Sequence, residues 1–99
     1  MTLFRIYCGL AVGSDRTVAT YARSAKLVHE LASEWLESYT IIESNGCWKG
    51  QQERTLIVEY MTDRAVDITK VRSFAHAYKW GNNQESVAII ETDPKIDFY

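Results

Sequence analysis

The periodicity of apolar residues along the chain constrains the fold more than any other feature of the sequence. Apolar side chains alternate with a period of two in four segments, which is typical of strands, and recur every three or four residues in two others, which is typical of amphipathic helices. The pattern predicts strands over residues 3–10, 39–48, 53–61 and 84–92, and helices over residues 17–38 and 63–80. Asp15 or Thr17 can cap the first helix and Asp63 the second, and Gly81 has the position of a helix end.

The resulting order, strand-helix-strand-strand-helix-strand, predicts an α+β fold of the ferredoxin-like type, with two helices on one face of an antiparallel sheet. Residues 49–52 are expected to reverse the chain between the second and third strands, with Gly50 free to take a positive φ. A chain of 99 residues, 46% of them hydrophobic, supports one core. We therefore expect a single domain over residues 1–99, in which Pro94 ends the last strand and residues 93–99 form a tail.

The third and fourth strands carry apolar residues on both of their faces. On the third strand Leu56 and Val58 alternate with Ile57, and on the fourth strand Ile89 alternates with Ile90. Two helices cover only one face of a ferredoxin-like sheet, and a bare apolar face is costly in water. The sequence therefore predicts a homo-oligomer in which a partner subunit covers the open face.

Charge and composition argue against several classes of function. The net charge of −2 leaves no basic face for nucleic acid and no polybasic segment for an anionic membrane surface. No apolar run approaches the roughly 20 residues that span a bilayer, and the first ten residues lack a signal-peptide pattern, so we expect a cytoplasmic protein. Cys8 and Cys47 are expected to be reduced. His29 and His76 lie within predicted helices without partner ligands, which argues against a metal site.

Polar groups suited to ligand binding are predicted at one edge of the sheet. The loop from Gly9 to Ser14, which includes Gly13, joins the first strand to the first helix, and its backbone N–H groups can hold a carboxylate or a phosphate. Glu53 opens the third strand and Gln84 the fourth, so Ser14, Glu53 and Gln84 can converge on one rim, within a subunit or across an interface. Taken singly, the loop is more typical of a plain turn that needs glycine, and Glu53 and Gln84 are more typical of a solvated strand end and a turn.

Three aromatic residues are candidates for contact with a ligand: Tyr7, Tyr21 and Trp48. An aromatic face can stack on a base, and it attracts a sulfonium or ammonium cation. The alternative for each of them is a place in the hydrophobic core.

Three short segments resemble the phage S-adenosylmethionine lyases, which were long called S-adenosylmethionine hydrolases. They are E-S-N-G-C-W at residues 43–48, E-R-T-L-I-V at residues 53–58 and N-Q-E-S-V at residues 83–87. The similarity extends to residues 8–15, where a serine follows the first strand, and the segments keep the family's order. The resemblance implies functional roles for Ser14, Glu53 and Gln84 and a site without metal or cofactor. We take Glu53 as the catalytic candidate, and Ser14, Gly13, Gln84 and Trp48 as candidates for substrate binding.

The resemblance implies a lyase that cleaves S-adenosylmethionine to methylthioadenosine and homoserine lactone, by attack of the substrate's own carboxylate on its γ-carbon. Glu53 would hold the cationic end of the substrate, Ser14 would orient its carboxylate or ribose, and Gln84 would bind neutral polar edges. It further implies a homotrimer with sites at subunit interfaces, and a role in defeating host restriction by depletion of S-adenosylmethionine. The alternative is a non-enzymatic ferredoxin-like module that binds a nucleotide-like ligand or has a regulatory role.

Overall fold

The computed structural model describes residues 1–63 and 67–97, apart from the side chain of Trp48. It contains six elements: β1 (Thr2–Gly9), α1 (Val18–Trp35), β2 (Thr40–Trp48), β3 (Gln51–Thr62), α2 (Asp67–Gly81) and β4 (Ala88–Thr92). The strands form one antiparallel sheet in the order β2-β3-β1-β4. This is the ferredoxin-like arrangement, so the predicted α+β fold class is confirmed.

The core lies between the sheet and the two helices. Alternate residues of the central strands point into it, because successive side chains of a strand face opposite ways. These are Phe4, Ile6 and Cys8 of β1 and Leu56, Val58 and Tyr60 of β3. The helices contribute Val28 and Ala32 from α1 and Val71, Phe74, Ala75 and Tyr78 from α2. Burial raises the pKa of the Cys8 thiol to about 12, which keeps this thiol protonated and unreactive.

Helix α1 is shorter than predicted, and its buried face includes two polar side chains. Thr17 caps the helix by accepting a hydrogen bond from the backbone N–H of Thr20, as one of the two predicted caps. The helix ends at Trp35 instead of residue 38, since the next residue has extended backbone angles. The apolar Val28 and Ala32 are buried together with the polar Thr20 and Ser24, whereas the apolar Val18 is 82% exposed. Apolar periodicity does not predict the burial of Thr20 and Ser24, because it depends on their hydrogen-bond partners, which the sequence pattern does not reveal.

The connection between β2 and β3 is a tighter hairpin than predicted. Lys49 and Gly50 both have positive φ, at 50° and 77°, which is typical of a two-residue turn in a β-hairpin. Trp48 pairs with Gln51 directly across this turn, so residues 51 and 52 belong to β3 and not to the turn. The register then places Glu53 opposite Gly46 of β2.

The last strand begins at Ala88 and not at residue 84 as predicted. The backbone N–H of Gln84 donates to the carbonyl of Lys79 at 2.9 Å and so completes the end of α2. Asn83 has a positive φ of 50°, which turns the chain away from the helix. Residues 82–87 are therefore the connection that carries Gln84 to the edge of the sheet. Helix α2 begins at Asp67, whereas the pattern predicted a helix from residue 63. Residues 64–66, which follow the predicted cap Asp63, lie outside the described residues, as do residues 98 and 99 of the predicted tail.

The sheet face opposite the helices is the open face. It exposes Ile42 of β2, Met61 of β3 and Ile90 of β4, at 41%, 43% and 44% of their surface. Arg5 and Glu59 form an ion pair across β1 and β3 on this face, with 2.7 Å between Nε and Oε2. None of the helices in the described ranges is both long and apolar enough to cross a membrane.

Candidate functional site

A cleft of about 590 Å³ lies at the edge of the sheet where β1 ends and β3 begins. Its wall is formed by the end of β1, the loop towards α1, the β2–β3 hairpin and the connection before β4. Tyr7, Gly9 and Gly13 contribute to the lining from the first two of these segments, and Glu53 and Gln84 from the other two. The first two segments are consecutive in the chain, whereas the hairpin and the connection before β4 are distant from them, and the ferredoxin-like topology brings all of them to one edge.

The carboxylate of Glu53 lies directly above the backbone of β1. Its Oε1 accepts a hydrogen bond from the backbone N–H of Ala11 at 3.2 Å. A Cβ on Gly9 would lie less than 3.0 Å from the same oxygen, a separation that real Cβ atoms essentially never show. A side chain at position 9 would therefore require the Glu53 carboxylate to shift from its position over the backbone.

The carboxamide of Gln84 reaches the same stretch of backbone from the other side. Its Nε2 donates to the carbonyl of Ala11 at 2.8 Å and to the carbonyl of Asn82 at 3.2 Å. Its Oε1 would lie 3.3 Å from a Cβ on Gly9. Glu53 and Gln84 thus meet over Gly9, and each is held by a backbone group of Ala11.

A buried chain of hydrogen bonds holds the end of β1 from below. Ser24 of α1 donates to Oδ1 of Asn82 at 3.1 Å, and Nδ2 of Asn82 donates to the hydroxyl of Tyr78 at 2.9 Å. The Tyr78 hydroxyl in turn donates to the carbonyl of Gly9. Burial raises the pKa of Tyr78 well above its usual range, so the hydroxyl stays protonated as a donor. Nothing in the spacing of Tyr78 along the sequence indicates the partner of its hydroxyl.

The other three candidates for substrate binding, Ser14, Gly13 and Trp48, are not placed together by the structure. Ser14 is exposed in the turn between Val12 and Asp15, whose backbones exchange hydrogen bonds at 2.9 and 3.1 Å, and it is not among the residues that line the cleft. Gly13 does line the cleft and has a φ of +59°. The side chain of Trp48 lies outside the described part of the structure. The structure therefore brings Gly13, Glu53 and Gln84 together within one subunit.

The aromatic candidates separate between two clefts. Tyr7 lines the cleft with Glu53, whereas Tyr21 lines a second cleft of about 410 Å³ between α1 and the strands β2 and β3. The guanidinium of Arg54 lies over the Tyr21 ring, 5.9 Å from its centroid. Tyr21 is thus engaged by a cation of its own chain.

Charged residues at the edge of the first cleft were not identified from the sequence. Lys49 in the hairpin turn lies 3.7 Å from the carboxylate of Glu85, which is next to Gln84. Nε of Arg16 donates to the carbonyl of Gln52 at 3.3 Å. Each ion is exposed or half-buried, so these contacts contribute little to stability. Among the residues that the structure describes, no cluster of three His, Cys, Asp or Glu side chains could hold a metal ion.

No protein-family model matches the chain, and no curated protein is significantly similar to it in sequence. Two solved structures match over most of its length. One is a phage SAM lyase in complex with S-methyl-5'-thioadenosine, with 18% sequence identity and a TM-score of 0.69, and the match covers 93% of this chain and 80% of that chain. The other is a phage SAM lyase in the apo state, with 19% identity, a TM-score of 0.69 and coverage of 92% and 78%. The chain therefore has the fold of the phage SAM lyases.

Proposed function

We propose that the chain is a lyase that cleaves S-adenosylmethionine to methylthioadenosine and homoserine lactone. The proposal rests on one observation. Glu53 and Gln84 line the same cleft, in a fold that is shared with phage SAM lyases. One of those structures holds S-methyl-5'-thioadenosine, which is the nucleoside product of this reaction. A cleft of about 590 Å³ is within the size range of small-molecule sites.

The reaction needs little machinery from the protein. One carboxylate oxygen of the substrate forms a bond to its own γ-carbon, while the bond from that carbon to the sulfonium breaks. The electron pair of the broken bond stays on sulfur, so the leaving group is the neutral thioether methylthioadenosine. No proton moves in this step, and the task of the site is to fold the methionine chain so that the reacting atoms approach each other.

Glu53 is the proposed catalytic residue. A carboxylate in a half-buried site can hold the cationic end of the substrate, at its sulfonium or its ammonium group. Gly13 and the neighbouring N–H groups are proposed to orient the substrate carboxylate or ribose. Ser14 and Trp48 remain proposed contacts to the substrate, with Ser14 contributed by a neighbouring subunit in a homo-oligomer.

Attack by water is the competing reaction, and it would give homoserine directly. A water molecule would need a general base, and histidine is the residue best suited to that role near neutral pH. His29 lies on α1 and His76 on α2, and neither is among the residues that line the cleft. Intramolecular attack needs no base, because the substrate carboxylate is already ionised at neutral pH.

The test is incubation with S-adenosylmethionine in water enriched in heavy oxygen, with the products followed by mass spectrometry at early times. We expect methylthioadenosine together with homoserine lactone that carries no label. Labelled homoserine appearing first, without lactone, would show hydrolysis. Binding of S-adenosylmethionine without formation of methylthioadenosine would favour the non-enzymatic binding module instead.

A further inference from the structure

We infer that Glu53 and Gln84 together form a seat for a protonated amine, and that Gly9 keeps this seat open. The inference rests on the proposed function, in which the substrate carries an α-ammonium group. It differs from the expectation that Gln84 binds neutral polar edges of the ligand. Two acceptor groups lie above Gly9: Oε1 of Gln84 and the carboxylate of Glu53. We call this pair of groups the amine seat.

The orientation of the Gln84 carboxamide is fixed by its partners. Both groups that face its nitrogen are backbone carbonyls, those of Ala11 and Asn82. Carbonyl oxygens only accept hydrogen bonds, so the atom that faces them must be the NH₂ group. Both N–H bonds of this group are then used, and the carboxamide presents its oxygen over Gly9. Gln84 is therefore an acceptor towards the cleft and has no donor left to offer.

Glu53 adds a negative charge beside that oxygen. Its Oε1 takes one hydrogen bond from Ala11, and an ionised carboxylate has about four acceptor positions, so capacity remains for a ligand. The cations that line the same cleft have other partners, since Lys49 lies near Glu85 and Arg16 donates to a backbone carbonyl. A site with two acceptors and one negative charge selects a group that has several donors and a positive charge, which is –NH₃⁺.

Gly9 determines whether the space above the backbone is available. A Cβ at this position would lie less than 3.0 Å from Oε1 of Glu53 and 3.3 Å from Oε1 of Gln84. Alanine at position 9 would therefore displace the Glu53 carboxylate from its place beside Gln84 and disrupt the seat. The glycine thus serves ligand recognition, and its φ is not in the left-handed region.

The test compares the binding of two unreactive ligands by calorimetry: S-adenosylhomocysteine, and the same compound without its α-amino group. We expect the unmodified chain to bind the amine-bearing compound at least about tenfold more tightly, as for a charge-assisted hydrogen-bond pair. Gly9→Ala and Gln84→Leu should bring the two affinities to within about twofold of each other. Gln52→Leu, a matched change on the same strand as Glu53 but outside the cleft lining, should keep the preference.

The outcomes separate this inference from the proposed function. Equal affinity of the unmodified chain for the two compounds, or no binding of either, overturns the amine seat even if S-adenosylmethionine is cleaved. A preference that survives both Gly9→Ala and Gln84→Leu also overturns it. A preference that depends on these residues, in a chain that forms no methylthioadenosine, supports the seat and removes the lyase reaction. The comparison within the unmodified chain remains decisive if a variant does not fold.

Discussion

At the scale of single residues, the cleft depends on a few atoms of Ala11 and Gly9. The N–H of Ala11 binds Glu53 and its carbonyl binds Gln84, so one peptide segment sets the positions of both side chains. Because these contacts come from the backbone, changes at position 11 itself would affect them less than changes at Gly9, which lies beneath both side chains.

Glu53→Gln tests whether the charge at position 53 matters for the reaction. The amide keeps the shape of the side chain and an oxygen that can accept from Ala11, but it cannot stabilise a cationic substrate. We expect the rate of S-adenosylmethionine cleavage to fall at least about tenfold, which corresponds to about 1.4 kcal/mol of barrier. Glu91→Gln, a matched change of an exposed glutamate on β4, should leave the rate unchanged. Unchanged turnover in Glu53→Gln would remove this residue from the site.

Asp15→Asn tests a second charge, at the start of α1. Hydrogen bonds from the backbone N–H of Thr17, and then from the Thr20 hydroxyl, lower the pKa of Asp15. A carboxyl group with a lowered folded-state pKa adds stability above its ordinary pKa, and this is lost as the pH falls through the folded-state value. The gap in urea midpoint between the unmodified chain and Asp15→Asn should therefore be present at pH 7 and shrink at acid pH. A gap that is constant with pH would contradict this role.

At the scale of the elements, the end of α2 and the end of β1 form one unit. Tyr78 of α2 donates to Gly9 of β1, and Gln84, just after α2, donates to Ala11, just after β1, so the two ends are joined at two points. Asn82 joins this unit to α1 through Ser24. The position of the Gly9 backbone, over which Glu53 and Gln84 lie, is therefore set by residues in the core.

Tyr78→Phe removes one of these points without changing the packing of the ring. It leaves the Gly9 carbonyl and the Asn82 amide without their partner, which costs about 1–3 kcal/mol of stability. Tyr60→Phe is a matched control, since Tyr60 is also a buried tyrosine, and its hydroxyl donates to Asp67 away from the cleft. We expect both variants to be destabilised, but only Tyr78→Phe to lower kcat and speed hydrogen exchange of the Ala11 amide.

Equal kcat and equal Ala11 exchange in Tyr78→Phe and Tyr60→Phe would show that the chain of hydrogen bonds below Gly9 is only structural. The exchange measurement does not depend on the identity of the substrate, so it tests the positioning role by itself.

Much of the arrangement of helices and strands was predictable from the sequence. The six elements, their order and the sheet arrangement follow from apolar periodicity, because burial of one face requires it. The failures occurred where polar side chains act locally or across the fold. Ser24 is buried through a bond to Asn82, 58 residues away, and Gln84 completes a helix end instead of opening a strand. Glu53 and Gln84 could be brought to one rim from topology alone, but the fit over Gly9 required coordinates.

At the scale of the whole molecule, the open face is the side of the sheet that the two helices leave uncovered. Ile42, Met61 and Ile90 lie on three different strands of it, and an ion pair of Arg5 and Glu59 lies between them. A face of this kind favours a symmetric assembly of identical chains. The resemblance to phage S-adenosylmethionine lyases leads us to expect a trimer.

Light scattering at micromolar concentration should therefore detect a closed homo-oligomer. Ile90→Lys places a charge on the open face and should shift the mass towards the monomer while the circular dichroism spectrum is kept. Trp80→Lys is the matched control, because Trp80 is a more exposed apolar residue but lies on α2, on the other side of the sheet. A monomeric unmodified chain would contradict the expected assembly.

The spacing between Glu53 and the core residues of β3 limits how this chain can tolerate insertions and deletions. Side chains of a strand alternate between the two faces, and the buried Leu56 and Val58 fix which residues of β3 face the helices. One residue gained or lost between Glu53 and Leu56 would move the carboxylate from the cleft to the helix side, whereas a change of two residues would preserve its face. Chains of this fold that keep the same chemistry should therefore differ in this short segment by even numbers of residues.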